Sequence, residues 1–250
     1  MKQKVRGFGL IIISSEVLCA RRQDAHFATF QRMLMNHRLK LVYSMILPDE
    51  PVVIDAQLAW AIARPEPFFC CGGIGNTPDD YTRQCVARVA GVGLELHPEG
   101  VRILKERFGD RATGDRLKMV EFPIGCELVP NPYNRVPGFS IRNGYFLPGF
   151  PEMAAPMSRW VVENLYEIGD EETRWTVMLP GAREADLTNL MERIVAAHPD
   201  VSLSSLPMFT TAGTTQVELS LSGRPDLVKE AVVDMQRELE SARIRSEPIT

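Results

Sequence analysis

The sequence predicts an α/β domain with a mainly parallel sheet, followed by a small α+β domain of ferredoxin-like type. Three observations carry this expectation. Apolar strand-like runs alternate three times with helical patterns over residues 5–90, joined by short connections, as in βαβ units. The third run ends in a glycine-rich loop, CCGGIGN at 70–76, leading into a further helix. Beyond residue 169 the order changes to βαββα, which suits a split βαβ sandwich.

The elements follow in order. Residues 5–13 (VRGFGLIII) form a continuous apolar run, expected of a strand covered on both faces. Lys2, Lys4 and Arg6 before it imitate a signal peptide. The run is short, Glu16 interrupts it and no A-x-A-like site follows, so a buried first strand is the better reading. Asp24 opens a helical stretch with Phe27, Phe30, Met33, Leu34 and Leu41 on recurring spacing. A strand at 41–47 stops at Pro48, a helix follows at 55–63, and a strand at 67–71 stops at Gly72-Gly73. The next helix is predicted from Pro78 to about Ala90. Thr77 would be its N-cap, Pro78 its first residue and Asp80 the acidic partner of a capping box. Residues 121–151 carry six prolines and four glycines, which suggests a shaped loop region near a site. Short strands fit at 139–142 and 144–148 around an Asn143-Gly144 hairpin signal.

The tail reads as its own unit. Strands are predicted at 175–179, 201–209 and 215–222, the last alternating through Val217, Leu219 and Leu221. Helical faces are marked by Leu187, Leu190, Met191, Ile194 and Val195, and by Leu227, Val228, Ala231, Val232, Met235 and Leu239.

Composition narrows the function. With 45% hydrophobic residues the chain can bury a core, and 28 basic against 32 acidic residues leave no basic footprint for nucleic acid. No stretch approaches the ~20 apolar residues of a membrane-crossing helix. Five scattered cysteines, Cys19, Cys70, Cys71, Cys85 and Cys126, lack CxxC spacing, so reduced core thiols in a cytoplasmic protein are expected. The histidines His26, His37, His97 and His198 show no metal spacing, and Ser14 and Ser15 lack a GxSxG context.

The strongest chemical signal is CCGGIGNTPDDYT at 70–82. Glycines at the end of a parallel strand allow close backbone approach, and free amides there favour a phosphate or similar anion. The loop matches neither GxGxxG nor a P-loop. Asp79 and Asp80 would repel a phosphate unless a cation intervened; the alternative is that both serve the helix dipole. Glu16, Asp24 and His26 follow the first strand at the same sheet edge, where a carboxylate could bind a ligand or cap a helix.

Together these segments resemble the amino-terminal domain of the CinA (competence/damage-inducible protein A) family, within the MoaB/Mog-like molybdopterin-binding superfamily. GGIGNTPDD is similar to GG-[LI]-GPT-x-DD, and Thr82 follows as in the family. IISSEVLCARRQDAH (12–26) keeps Glu16, Leu18 and Asp24 of the first family motif. PNPYNRVPGF (130–139) and LPGFPEM (147–153) are similar to its later two, and the tail looks like the extension of short, stand-alone members. The departures are Ser14, Ser15, Ala20 (where the family has glycine), His26 (usually asparagine), Asn76 (usually proline) and a 147–153 turn one residue short.

The resemblance implies a three-layer α/β/α domain over 1–168 and an α+β domain over 169–250. It implies ligand contacts from Gly72, Gly73, Gly75, Asn76 and Thr77, with Asp24, Asn131, Gly138 and Gly149 from the other motifs. Asp79 and Asp80 would hold a divalent metal (Mg, Mn or Co) and, with Glu16, serve catalysis. The implied activity is metal-dependent hydrolysis of an ADP-ribose-type diphosphate. The alternative is a non-catalytic module binding molybdopterin or a nucleotide. A small-molecule ligand, no nucleic acid, no membrane and a homo-oligomer (dimer or trimer) complete these expectations.

Overall fold

The computed structural model describes residues 2–209 and 215–249, in two compact units, 1–169 and 170–250.

The first strand, β1 (Gly7–Ile13), is buried at every position, because helices cover both faces of its sheet. After a one-turn helix α1 (Ser15–Leu18) come α2 (His26–Asn36), β2 (Lys40–Leu47), α3 (Pro51–Ile62), β3 (Phe68–Cys71) and α4 (Thr82–Ala90). The chain continues through β4 (Leu94–Leu96), α5 (Pro98–Phe108), the one-turn α6 (Gly114–Leu117), β5 (Glu121–Pro123), β6 (Glu127–Val129), β7 (Gly138–Ile141), β8 (Gly144–Leu147) and α7 (Pro151–Leu165). The main sheet has the order β2-β1-β3-β8-β7-β6. Its β2-β1-β3-β8 part is parallel; β7 and β6 extend it antiparallel. The fold class is therefore the predicted one, an α/β domain with a mainly parallel sheet and an antiparallel sheet at the C-terminus.

Strand periodicity sorts the core into two layers. Phe8, Leu10, Ile12, Phe69, Cys71, Tyr145 and Leu147 face α2 and α7, meeting Phe30, Leu34, Met157 and Val161. Ile11, Ile13, Phe68, Cys70 and Phe146 face the opposite way, onto Ile54 and Leu58 of α3, Val86 of α4 and Leu104 of α5. Each such side chain contributes about 1.5–3 kcal/mol on burial. Phe139 and Phe146 stack at 4.8 Å between ring centres across the β7–β8 hairpin.

Four boundaries differ from the sequence expectation. Leu41 belongs to β2, not to the preceding helix. α3 begins at Pro51, a proline in the first helical turn, rather than at 55. The β7–β8 turn is Arg142-Asn143, with Arg142 at φ 57°, because Gly144 already pairs with Ile141. Gly144 is small for packing: a Cβ there would lie 2.6 Å from the Phe68 ring. The Asn143 side chain instead ties the turn to the carbonyls of Arg64 (2.9 Å) and Glu66 (3.0 Å). The fourth difference, the start of α4 at Thr82, shapes the site described below.

In the second unit, β9 (Thr173–Pro180), α8 (Glu184–Ala197), β10 (Ser202–Phe209), β11 (Thr215–Gly223) and α9 (Pro225–Ser241) follow the predicted βαββα order. A short β12 (Glu247–Pro248) pairs with β9, completing an antiparallel sheet in the order β10-β11-β9-β12. Val177, Leu179, Val217, Leu219 and Leu221 pack on Leu187, Leu190, Ile194, Ala231 and Met235.

Candidate functional site

The carboxyl ends of β2, β1, β3 and β8 open onto a cleft of about 540 Å3. That edge is where ligands enter open α/β sheets. Its walls come from all four sequence motifs: residues 12–26, the glycine loop through Asp80, residues 134–137 and residues 148–153, with Asp49 joining from the end of β2.

The first wall is held by capping. The Ser14 hydroxyl accepts from the Val17 amide and donates to Glu16 Oε2 at 3.1 Å. The Ser15 amide donates to Asp49 Oδ2 at 2.7 Å, and the Asp49 amide donates back to the Ser15 hydroxyl at 2.9 Å. Both serine departures thus have a structural use. Ala20, in place of a glycine, sits at φ 58°, where a Cβ is strained. Ala20→Gly is expected to raise the unfolding free energy of this unit by about 1 kcal/mol, read from urea denaturation.

Asp24 caps α2. Oδ1 accepts from the His26 amide (2.9 Å) and Oδ2 from the Phe27 amide (3.0 Å), and Oδ1 also lies 3.0 Å from His26 Nδ1. Partial burial pushes the carboxyl upward, but these hydrogen bonds prevail and hold it below its ordinary value.

The glycine loop is an excursion closed at its base. The Gly72 amide donates to the Leu147 carbonyl at 3.0 Å. The Thr82 hydroxyl donates to the Gly72 carbonyl and its amide to the Gly73 carbonyl, both at 2.9 Å. α4 can therefore start only at Thr82, and Thr77 is not its N-cap. Thr77 begins a separate turn instead. Its amide (2.7 Å) and hydroxyl (2.5 Å) both donate to Asp80 Oδ2, and the Asp80 amide returns to the Thr77 carbonyl. Hydrogen bonding from Thr77 also holds Asp79 below the usual carboxylate range. Neither aspartate lies in the first turn of α4, so the helix-dipole role considered for them does not apply.

Arg83 fixes the loop from beneath. It is 4% exposed, and its guanidinium donates to the carbonyls of Gly75 (2.7 Å), Glu121 (3.1 Å) and Lys118. Asn76 Nδ2 reaches the Asp115 carbonyl at 2.7 Å. The amides of Gly73, Ile74, Gly75 and Asn76, by contrast, make no protein hydrogen bond among the described residues.

Of the sequence-predicted site residues, Glu16, Asp24, Gly72, Gly73, Gly75, Asn76, Thr77, Asp79, Asp80 and Gly149 line the cleft. Asn131 and Gly138 do not. Asn131 is buried beneath its loop, accepting from the Tyr133 and Asn134 amides and donating to Asn134 Oδ1 and the Val136 carbonyl. It is Asn134 and Val136 that reach the cleft. Gly138 lies within β7, where a Cβ would meet the Phe146 carbonyl oxygen at 2.3 Å. Sequence reasoning missed Asp49, Arg83 and Phe150. The last, half-exposed, lies 5.6 Å below the Arg22 guanidinium at the cleft.

Among the described residues no three His, Cys, Asp or Glu side chains gather to hold an ion, and Asp80 already commits Oδ2 to Thr77. The cysteines are unpaired. Burial pushes the thiols of Cys126 and Cys85 up to about 11 and about 12, leaving them protonated core groups. No helix of the described residues is long and apolar enough to cross a membrane.

The chain is similar to known proteins over the segment that bears the cleft. A family described as the probable molybdopterin binding domain matches residues 9–167, which contain every cleft-lining residue. A CinA-like protein of Geobacter sp. (strain M21) is 32% identical over 207 residues, covering 78% of this chain and 49% of the relative. The chain thus spans about half the length of the CinA-like relatives it matches. A protein of Aeropyrum pernix is 27% identical over 244 residues, 94% of this chain and 91% of that one. Among solved structures, the Thermoplasma acidophilum protein CinA, of unknown function, superposes with a TM-score of 0.58 at 22% identity. That match covers 64% of this chain and 98% of the other, and it supports the fold.

Proposed function

We propose, on the premise that the chain belongs to the family of probable molybdopterin binding domains, that its first unit is a binding module for a phosphate-bearing pterin or nucleotide. One observation carries this reading. Four consecutive amides, Gly73 to Asn76, border the cleft without a protein acceptor, while the loop that bears them is anchored on Arg83, Thr82 and Asp115. A preorganised row of amides at a sheet's carboxyl edge is an anion seat.

Asp24 caps α2, Asp49 holds Ser15, Asp80 closes the Thr77 turn and Glu16 accepts from Ser14. Each of these four carboxylates commits at least one oxygen to shaping the walls, which supports the binding reading.

Asp80→Ala tests the reading. It removes the acceptor of Thr77 and releases the turn next to the amide row. In calorimetric titration the wild-type chain is expected to bind ADP and inorganic pyrophosphate saturably. The variant should bind both about tenfold more weakly, a loss of about 1.4 kcal/mol. Absence of saturable binding would sink the proposal. Turnover of ADP-ribose with Mg, Mn or Co would replace it with the hydrolase reading.

A further inference from the structure

We infer that His26 reads the ring end of the bound ligand: its Nε2 accepts a hydrogen bond from a ring N–H or amino group of a pterin or purine. The inference rests on the binding reading above and adds to it the chemistry of the part of the ligand remote from the phosphate.

His26 is 6% exposed and lines the cleft. Its two ring nitrogens are in different situations. Nδ1 lies 3.0 Å from Asp24 Oδ1, whereas Nε2 is buried and meets no protein partner. Asp24 is itself immobile, since the His26 and Phe27 amides both donate to it. An ionised carboxylate only accepts, so the proton of the neutral ring sits on Nδ1 and leaves Nε2 as an acceptor. The Phe30 ring, 6.4 Å away centre to centre, backs the imidazole. A buried acceptor without a partner is costly, and where its residue lines a ligand cleft a donor of the ligand would supply the missing bond. Asp24 is then a positioning residue that fixes the tautomer, and His26 the residue that touches the ligand.

The chemistry favours a heterocycle that carries its own donors. Guanine and pterin rings both present an N–H beside an amino group, and both can be joined to a phosphate. The thiol of Cys71, which also lines the cleft, is fully buried and keeps its proton, so it adds no charge beside that of Asp24.

The chain has four histidines, which makes a nitrogen-15 experiment direct. His198 approaches a carboxylate through Nε2, His97 Nδ1 accepts from the Gly100 amide, and His37 Nδ1 donates to the Met33 carbonyl at 2.8 Å. His26 and His37 are therefore both expected to give Nδ1–H signals, and the one that disappears in His26→Phe is assigned to His26. Adding GMP should shift its Nε2 resonance, and adding inorganic pyrophosphate should not. His26→Phe, which keeps ring shape and packing, should weaken GMP binding about tenfold, as loss of one buried hydrogen bond does. Its pyrophosphate affinity should stay unchanged, and His26→Gln, which retains an acceptor, should recover part of the GMP affinity. Asp24→Asn should mix the two tautomers while conserving the helix cap.

If GMP binds the wild type and His26→Phe equally, or if Nε2 does not respond to GMP because it faces only a buried water, the inference is overturned. An equal response to pyrophosphate overturns it too, making His26 a phosphate contact. If pyrophosphate binds and GMP gains nothing from its base, this inference alone falls. If neither binds, the binding reading falls and takes it along.

Discussion

Gly72→Ala is expected to destabilise the first unit by on the order of 3 kcal/mol and to abolish ligand binding. Two effects add. The backbone at residue 72 has φ 107°, which an L side chain rarely adopts. A Cβ there would also stand 2.3 Å from the carbonyl oxygen of Ile13, in the adjacent strand. That oxygen cannot yield, because β1 is held between β2 and β3. Gly91 is the matched control: it has φ 73°, but a Cβ would find open space. Gly91→Ala should therefore cost only the backbone strain, about 1–2 kcal/mol. Urea denaturation of the two variants separates clash from strain. Equal losses would mean that the contact with Ile13 is unimportant.

The second large effect belongs to Arg83. Arg83→Met retains the bulk of the side chain but leaves the carbonyls of Gly75 and Glu121 without this donor and that of Lys118 with the Glu121 amide alone. Hydrogen bonds to a charged group contribute about 1.5–3 kcal/mol each, and buried carbonyls left unpaired add to the cost. A loss of roughly 4 kcal/mol is expected, with the glycine loop released at the same time. Arg83→Lys should not rescue it, since an ammonium cannot span three acceptors in the guanidinium's fork. A variant with wild-type stability and ligand affinity would show that the loop holds itself.

Much of this was legible in the sequence, for physical reasons. The alternation of buried runs and helical faces reports burial on both sides of a parallel sheet, and it located β1, β2, β3 and their helices. The glycine loop was legible because close approach leaves glycine few substitutes. The departure at Ala20 was legible too, since a residue standing where the family has glycine does adopt a positive φ. What failed were local rules overruled at long range. Thr77, Pro78 and Asp80 have the spelling of a helix start, yet closure of Thr82 on Gly72 and Gly73 moves the helix four residues onward. The Asn143-Gly144 signal slipped by one residue because Gly144 is needed against Phe68. Residues 94–117 went unread, since β4 is short and its partner β5 is far along the chain. Asp49 and Arg83 could not be found from spacing at all: the groups they hold lie more than thirty residues away in the case of Ser15, Lys118 and Glu121.

The bond from the Gly72 amide to the Leu147 carbonyl has a consequence for assembly. Gly149 reinforces the same junction, where a Cβ would lie 3.2 Å from the Gly72 Cα. The two sides of this junction are separated by the whole stretch 73–146, so β8 must dock beside β3 before the glycine loop gains its opposite wall. Closing so long a loop is an entropic cost met only when the flanking layers are in place. During synthesis, a chain that has emerged only through α4 carries the loop sequence but no cleft. The capacity to hold a ligand is thus a late product of folding, and a ligand that fits the finished cleft would act as a clamp on the completed sheet.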